Sequence, residues 1–212
     1  MSDENTVRIA TARHFYRHRH GRTFYGTDGG FGPTRLPSNP ASIDFLFNVA
    51  WESDDVRSFV DFGVGYGRVV LGCALFRPRA KVRGYDLNDA VVRKARDSLR
   101  RIREDFSTRH PDCDMGTIEI ATADILELAP EDFQDVTHAT CMWTGMPMET
   151  QCGFLRLVAR LPNLVSVAMP YHHRFRDLPS ETHRTGMAFG RTRGTLLVHK
   201  VDNDFKSYVA QL

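Results

Sequence analysis

The feature that most constrains the fold is a glycine-rich stretch, residues 59–68, which continues a short apolar run and reads FVDFGVGYGR. Glycine occupies alternate positions in it, at Gly63, Gly65 and Gly67. This spacing predicts a buried strand, a sharp turn that a ligand can approach, and a helix whose positive end faces that ligand. Arg68 stands where the dinucleotide fingerprint G-x-G-x-x-G requires glycine or alanine, which disfavours NAD and FAD. Asp61, two residues before the first glycine, suits a cationic or amino-bearing ligand.

Strand and helix patterns alternate along most of the chain. Apolar strand-like runs such as KVRGYDL, THATCMW and NLVSVAMP are separated by amphipathic segments such as NDAVVRKARDSLRRIREDF and ETQCGFLRLVARL. Such alternation predicts parallel strands joined by right-handed crossovers, and therefore an open α/β sheet. The run GTLLVHKV has no long helix before it, so we expect it to insert antiparallel near the C-terminus, followed by a terminal helix in NDFKSYVAQL.

The chain divides into two predicted parts. Residues 1–36 are rich in Arg, His, Gly and aromatic residues and show no periodicity, which predicts a basic aromatic arm. Residues 37–212 form the predicted domain. A helix is expected to start at Ser38 or Asn39, with Pro40 at its first position, and to end before Ser53. Its predicted apolar face consists of Ile43, Phe45, Leu46, Val49 and Ala50.

Composition narrows the class of protein. With 28 basic and 26 acidic residues the net charge is only +2, which does not by itself indicate a polyanionic partner. No stretch has the roughly 20 apolar residues of a membrane span, and the N-terminus lacks a signal-peptide core, so we expect an intracellular protein, cytoplasmic or nuclear, without membrane contact. The cysteines form no C-x-x-C pair and are expected to be reduced thiols: Cys73, Cys113, Cys141 and Cys152. The adjacent His172 and His173 lack acidic or cysteine companions, so no metal site is predicted.

Two further aspartates follow predicted strands. Asp86 ends the strand VRGYD about 25 residues after Asp61, at the position where open α/β sheets bind ribose hydroxyls. Asp124 ends the next strand, where its carboxylate could accept the adenine amino group while Ile125 packs on the ring. Each aspartate could instead simply cap a following helix, and this alternative is strongest for Asp124.

In this arrangement the sequence resembles the class I S-adenosylmethionine-dependent methyltransferases over roughly residues 38–170. The resemblance implies a Rossmann-like, mostly parallel seven-stranded sheet with helices on both faces, and S-adenosylmethionine as cofactor. By the same resemblance the glycine loop and Asp61 hold the methionine moiety, Asp86 the ribose and Asp124 the adenine. The full set of cofactor-binding residues that it implies is Asp61, Gly63, Val64, Gly65, Gly67, Arg68, Asp86, Leu87, Asp124 and Ile125.

Within that class, the segments SNPASIDFLFNVA, FVDFGVGYGRVVLGCA and RGYDLNDAVVRKAR resemble two lysine-specific branches. These are the non-SET histone-lysine methyltransferases and the enzymes that methylate lysine in the ATP synthase c-subunit. The resemblance implies a protein-lysine acceptor, with histones and nucleosomes among the partners. The sequence departs from the histone enzymes after the fourth strand, where Cys141-Met142-Trp143-Thr144 replaces their Asn-Asn-Phe segment.

Two aromatic residues are candidates for substrate recognition. Trp143 and Tyr171 are candidate walls of a pocket for the target side chain, because an aromatic ring attracts a methylammonium, although both could instead have ordinary structural or surface roles. No general base is predicted, since positioning supplies much of the acceleration of methyl transfer. Methylation of RNA or of a small molecule remains an alternative, as does a non-catalytic binding protein. The basic arm could contact nucleic acid, and the alternative is a solvated, flexible tail.

Overall fold

The structure is a computed structural model that describes residues 10–11, 40–52, 55–143, 145–189 and 192–212. The predicted basic arm, apart from Ala10 and Thr11, and the predicted cap at Ser38 or Asn39 lie outside the described residues. In the part of the chain that is described, no helix is both long enough and apolar enough to cross a membrane.

The centre of the molecule is a seven-stranded sheet with the strand order β3-β2-β1-β4-β5-β7-β6. Its strands are β1 (Ser58–Phe62), β2 (Lys81–Asp86), β3 (Ile118–Thr122), β4 (His138–Cys141), β5 (Ser166–Pro170), β6 (Glu181–Phe189) and β7 (Thr192–Lys200). Strands β1 to β5 are parallel, and β7 is antiparallel to both of its neighbours. The predicted open, mostly parallel sheet with an antiparallel strand near the C-terminus is confirmed. β6 is an edge strand that the sequence pattern did not reveal.

Helices cover both faces of the sheet, as predicted. They are α1 (Pro40–Phe45), α2 (Arg68–Phe76), α3 (Asp89–Arg109), α4 (Met148–Arg160) and α5 (Asn203–Val209). The first three pack into one apolar cluster and the last two into a second cluster on the opposite face. Between β3 and β4 the described chain crosses through two short 3₁₀ turns, Ile125–Glu127 and Pro130–Phe133, instead of a full helix.

The predicted apolar face of the first helix is only partly correct. Ile43 and Leu46 are fully buried, but Val49 is 51% exposed. The α-helix gives way at Leu46 to a wider π-helical turn, Leu46–Ala50, and this changes which side chains face the core. Phe47, absent from the prediction, is the buried residue instead and packs edge-to-face on Trp51 and Phe59.

Polar contacts tie the strands together at their amino ends. Arg83 of β2 donates to Asp135 and to the Ser58 hydroxyl. Thr137, next to β4, donates its hydroxyl to the Ser58 carbonyl at 3.0 Å. Because these contacts lie at the amino ends, the carboxyl ends of the same strands are left for a ligand site.

Candidate functional site

The glycine loop lies between β1 and α2, at the carboxyl ends of the parallel strands. Gly63, Gly65 and Gly67 have φ angles of 79°, 51° and 81°, in the left-handed region that favours glycine. The Gly63 and Val64 amides donate to the Tyr85 carbonyl of β2 at 2.7 and 2.8 Å. The loop is therefore held against the end of β2 by backbone hydrogen bonds.

Neighbouring side chains also lie close to two of these glycines. A Cβ atom on Gly63 would lie 2.2 Å from the terminal methyl of Met146, and one on Gly67 would lie 2.8 Å from Leu99 Cδ1. Met146 therefore packs directly over the start of the loop, and any side chain on Gly63 would have to displace it.

Asp86 connects the glycine loop to the turn that follows β2. One of its carboxylate oxygens accepts from the Gly65 amide and the other from the Asn88 amide, each at 3.0 Å. Asn88 in turn caps α3 by accepting from Ala90 and Val91. The carboxylate lies half-buried between two strand ends, and Leu87 beside it is 64% exposed. The structure thus brings the glycine loop and Asp86 together, as the sequence predicted.

Asp61 lies behind the loop in the interior of the sheet. Its side chain is 1% exposed, and its Oδ1 accepts a hydrogen bond of 2.6 Å from the Thr140 hydroxyl of β4. Burial raises the pKa of Asp61 to about 8, the Thr140 hydrogen bond opposes this rise, and the nearby Asp86 adds to it. Within the described part of the chain, neither Asp61 nor Asp86 forms an ion pair, so a cationic ligand would meet two uncompensated acidic groups.

Asp124 lies just beyond β3 and caps the 3₁₀ turn Ile125–Glu127 by accepting from the Leu126 amide at 2.9 Å. The capping role considered for Asp124 is thus present, and it involves only one carboxylate oxygen. Ile125 is buried at 7% exposure. The side chains of Val64 and Arg68 are also buried, so both residues contribute chiefly through their place in the loop and at the start of α2.

No family model matches the sequence, and no curated protein matches it either. Several solved structures have a fold similar to that of this chain. Magnesium protoporphyrin IX methyltransferase from Synechocystis, solved with bound SAM, has a TM-score of 0.55 at 13% identity, covering 94% of this chain and 98% of the other. The fold is that of class I methyltransferases.

Two further structures with this methyltransferase fold have names that refer to RNA. An RNA methyltransferase from Salinibacter ruber, in complex with S-adenosyl-L-homocysteine, has a TM-score of 0.53 at 16% identity and covers 79% of this chain and 95% of the other. The rRNA methyltransferase AviRa from Streptomyces viridochromogenes has a TM-score of 0.56 at 15% identity, with coverages of 90% and 92%. At such identities the likeness establishes the fold alone.

The two predicted pocket residues differ in exposure within this methyltransferase fold. Trp143, just after β4, is 2% exposed, and its indole nitrogen donates to the Pro170 carbonyl at 2.9 Å. Its ring packs against Phe154 and Phe175. Tyr171, just after β5, is 49% exposed. Trp143 therefore braces the ends of β4 and β5 from within, whereas Tyr171 is available at the surface.

Two residues near the glycine loop could not be identified from the sequence alone. Thr140 is the register partner of Asp61 across β1 and β4, so strand pairing was needed to find it. Met146 contacts Gly63 from the segment after β4 and lies 3.7 Å, sulfur to sulfur, from Cys141. Neither residue belongs to a recognisable motif, and only the folded chain brings them to the loop.

Other features of the methyltransferase fold lie apart from this site. A surface depression of about 390 Å³ between α3 and β3 is lined by Arg96, Leu99, Ile118, Glu119 and Ile120, none of them a candidate cofactor residue. The rings of His172 and His173 lie 4.5 Å apart, centroid to centroid, and are tilted by 30°. Among the described residues, no group of three or more His, Cys, Asp or Glu side chains is arranged to hold a metal ion.

Proposed function

We propose that the protein is an S-adenosylmethionine-dependent methyltransferase whose cofactor binds at the carboxyl ends of β1, β2 and β3. The observation that carries this proposal is the bond from the Gly65 amide to Asp86, which joins a glycine loop of left-handed backbone to an acidic strand end. The three glycines have no side chains, which gives a ligand access to the loop backbone and to the amino end of α2.

The residues present fit this cofactor in charge as well as in shape. Asp61, Asp86 and Asp124, which we call the acidic edge, lie within β1, at the last residue of β2 and just after β3, three neighbouring strands. Asp61 would attract the amino group of the methionine moiety, Asp86 would accept from the ribose hydroxyls, and Asp124 has a carboxylate oxygen left for the adenine amino group. Leu87 and Ile125 would offer apolar contacts to the nucleoside. When bound, the cofactor supplies an electrophilic methyl group on a sulfonium.

For the acceptor, we propose a protein lysine, with histones among the candidate substrates. The support is the sequence resemblance to the lysine-specific branches. The described chain adds an exposed aromatic ring, Tyr171, beside a strand end that Trp143 keeps rigid. Partial removal of water at such a wall would favour the neutral, nucleophilic form of a lysine amine. The chain's role would be to orient the acceptor, since no residue is assigned as a general base.

A second candidate acceptor, RNA, is favoured by the segment that follows β5. Residues 171–176, which we call the basic turn, read YHHRFR, and Tyr171, His173, Arg174 and Arg176 are exposed. Phe175 is buried against Trp143 and anchors the turn. Exposed arginines beside an aromatic ring suit the phosphates and bases of a single-stranded nucleic acid.

The proposed function is tested by incubating the full chain with S-adenosylmethionine that carries a labelled methyl group. Core histones, nucleosomes and total RNA are offered in parallel reactions, and Gly65→Arg is the matched inactive variant. Label on protein that is recovered as methyl-lysine supports the first acceptor, and label on RNA supports the second. Cofactor binding without transfer to any of these substrates would favour a non-catalytic binding protein.

A further inference from the structure

The contact between Asp61 and Thr140 is among the shortest polar contacts described. The two residues are register partners on β1 and β4, and the hydroxyl donates to the carboxylate at 2.6 Å. Both side chains are buried, with exposures of 1% and 0%. A bond to a charged acceptor is roughly twice as strong as one between neutral groups, so this hydroxyl favours the ionised carboxylate.

Among the described residues, the groups that face Asp61 offer no other support for a negative charge. Asp86 of β2 repels it, and the thiols of Cys73 on α2 and Cys141 on β4 lie close enough to be influenced by it. Burial raises the pKa of both thiols, so they stay neutral. Arg77 acts on Cys73, but it is not among the groups that shift Asp61. Because burial raises the pKa of Asp61 to about 8, we expect the protonated form of its carboxyl group to predominate in the free protein at pH 7.

We propose that Thr140 is a positioning residue for cofactor binding: it holds Asp61 ready to lose its proton to solvent as the cofactor's ammonium group arrives. The proton balance is simple, since one neutral carboxyl becomes a carboxylate beside one ammonium, and one proton passes to the buffer. This inference rests on the proposed S-adenosylmethionine site, and it adds a linkage between cofactor affinity and pH.

The sign of the linkage follows from the state of Asp61. Because its pKa in the free protein is about 8, fewer molecules have the ionised carboxylate as the pH falls below that value. The cofactor must then displace a proton, so its affinity falls by up to about tenfold for each pH unit. Measurements should stay between about pH 5.5 and pH 7.5, since the cofactor's own amino group loses its proton near pH 8.

The test is calorimetric titration of the full chain at pH 7 in two buffers with different ionisation enthalpies. S-adenosylmethionine is compared with methylthioadenosine, which has the same nucleoside but no amino acid portion. We expect close to one proton released per S-adenosylmethionine bound and none for methylthioadenosine. Binding of S-adenosylmethionine without proton release would overturn this inference alone, whereas no binding of either ligand would overturn the proposed function with it.

The Thr140→Val variant keeps the shape of the side chain and removes the hydroxyl that donates to Asp61. We expect it to weaken S-adenosylmethionine binding at pH 7 by about tenfold and to leave methylthioadenosine binding unchanged. Thr137→Val is the matched control, because Thr137 is also buried next to β4 but bonds to Ser58 at the opposite end of the strands. Equal affinities for wild type and Thr140→Val, or an equal loss in Thr137→Val, would overturn the role of Thr140.

Discussion

The acidic edge and the basic turn lie at the same end of the sheet but are built differently. In the acidic edge, Asp86 and Asp124 are held by backbone amides and Asp61 by a buried hydroxyl, so their positions follow from the strands themselves. In the basic turn one buried ring, Phe175, anchors a set of exposed side chains. A site built from backbone hydrogen bonds restricts its ligand closely, whereas exposed side chains can adapt to different acceptors.

The largest effect is expected on stability, from the charge buried in the acidic edge. Burial raises the pKa of Asp61 from 3.8 to about 8, so the folded state binds more protons than the unfolded state across that range. The free energy of unfolding should therefore fall as the pH rises from about 4 to about 8, by an amount on the order of several kcal/mol. The side chain of Asp61→Asn does not titrate, so the free energy of unfolding of this variant should fall less over the same pH range.

Denaturant unfolding of wild type and Asp61→Asn at pH 5 and pH 8 measures this difference. Asp124→Asn is the matched control, since Asp124 is only partly buried and asparagine can also cap a helical turn. Parallel pH dependence in wild type and Asp61→Asn would show that the acidic edge carries no buried charge that destabilises the fold.

The next largest effect is expected on cofactor affinity, from the Asp86 carboxylate that joins the glycine loop to β2. Asp86→Ala removes the acceptor for the Gly65 and Asn88 amides, and it should weaken S-adenosylmethionine binding by about a hundredfold, the cost of losing two charge-assisted hydrogen bonds. Calorimetric titration measures the change. Asp177→Ala, beside the basic turn, is the control and should bind as wild type does. A similar loss in both variants would remove the distinction between the two regions.

A moderate effect is expected from Gly63→Ala. The added methyl group would collide with Met146 and would sit on a backbone with a φ of 79°, which should cost about 1–3 kcal/mol of stability. Gly186→Ala on β6 is the control, because a Cβ there meets nothing within 4 Å. Thermal unfolding of both variants checks the prediction, and an unchanged melting temperature for Gly63→Ala would contradict it.

The smallest effect belongs to the basic turn. Partial burial, followed by the nearby charges of His173 and Arg174, lowers the pKa of His172, so near neutral pH the charge of the turn rests mainly on its arginines. If RNA is the acceptor, the double variant Arg174→Ala/Arg176→Ala should weaken RNA binding severalfold. The slope of log affinity against log salt concentration should fall by the amount that about one or two phosphate contacts contribute.

A filter-binding titration of RNA at several salt concentrations measures this effect. Arg101→Ala, an exposed arginine on α3, should leave both the affinity and the salt slope unchanged. An unchanged slope in the double variant would mean that the basic turn does not contact phosphate, and would leave lysine as the favoured acceptor.

The sequence predicted the positions of the glycine turn and of Asp86 because local rules determine them, while their role in cofactor binding stays a prediction. Gly63, Gly65 and Gly67 mark a turn that other residues strain to form, and Asp86 ends a strand whose apolar run is plain. Thr140 escaped notice because its importance arises from a partner 79 positions away, across a strand pair. Pairings of this kind are non-local and leave no pattern in a single segment.

The rest of the fold was harder to predict for similar reasons. β6 has a largely exposed first half and lacks the apolar alternation that marks a strand, because it lies at the edge of the sheet. The π-helical turn after α1 shifted the buried face from Val49 to Phe47, which a regular helical period cannot anticipate. The acceptor could not be predicted in the same way, because the exposed side chains of the basic turn, the proposed RNA contact, suit many different substrates.

The most direct test of the central claim is calorimetric titration of S-adenosylmethionine into the full chain and into Gly65→Arg. The variant places a long side chain on a buried loop residue with a φ of 51°, next to Asp86. We predict saturable binding to the wild type with one site per chain, and no detectable binding to a variant that remains folded. No binding to the wild type, or equal binding to both, would contradict the proposed cofactor site.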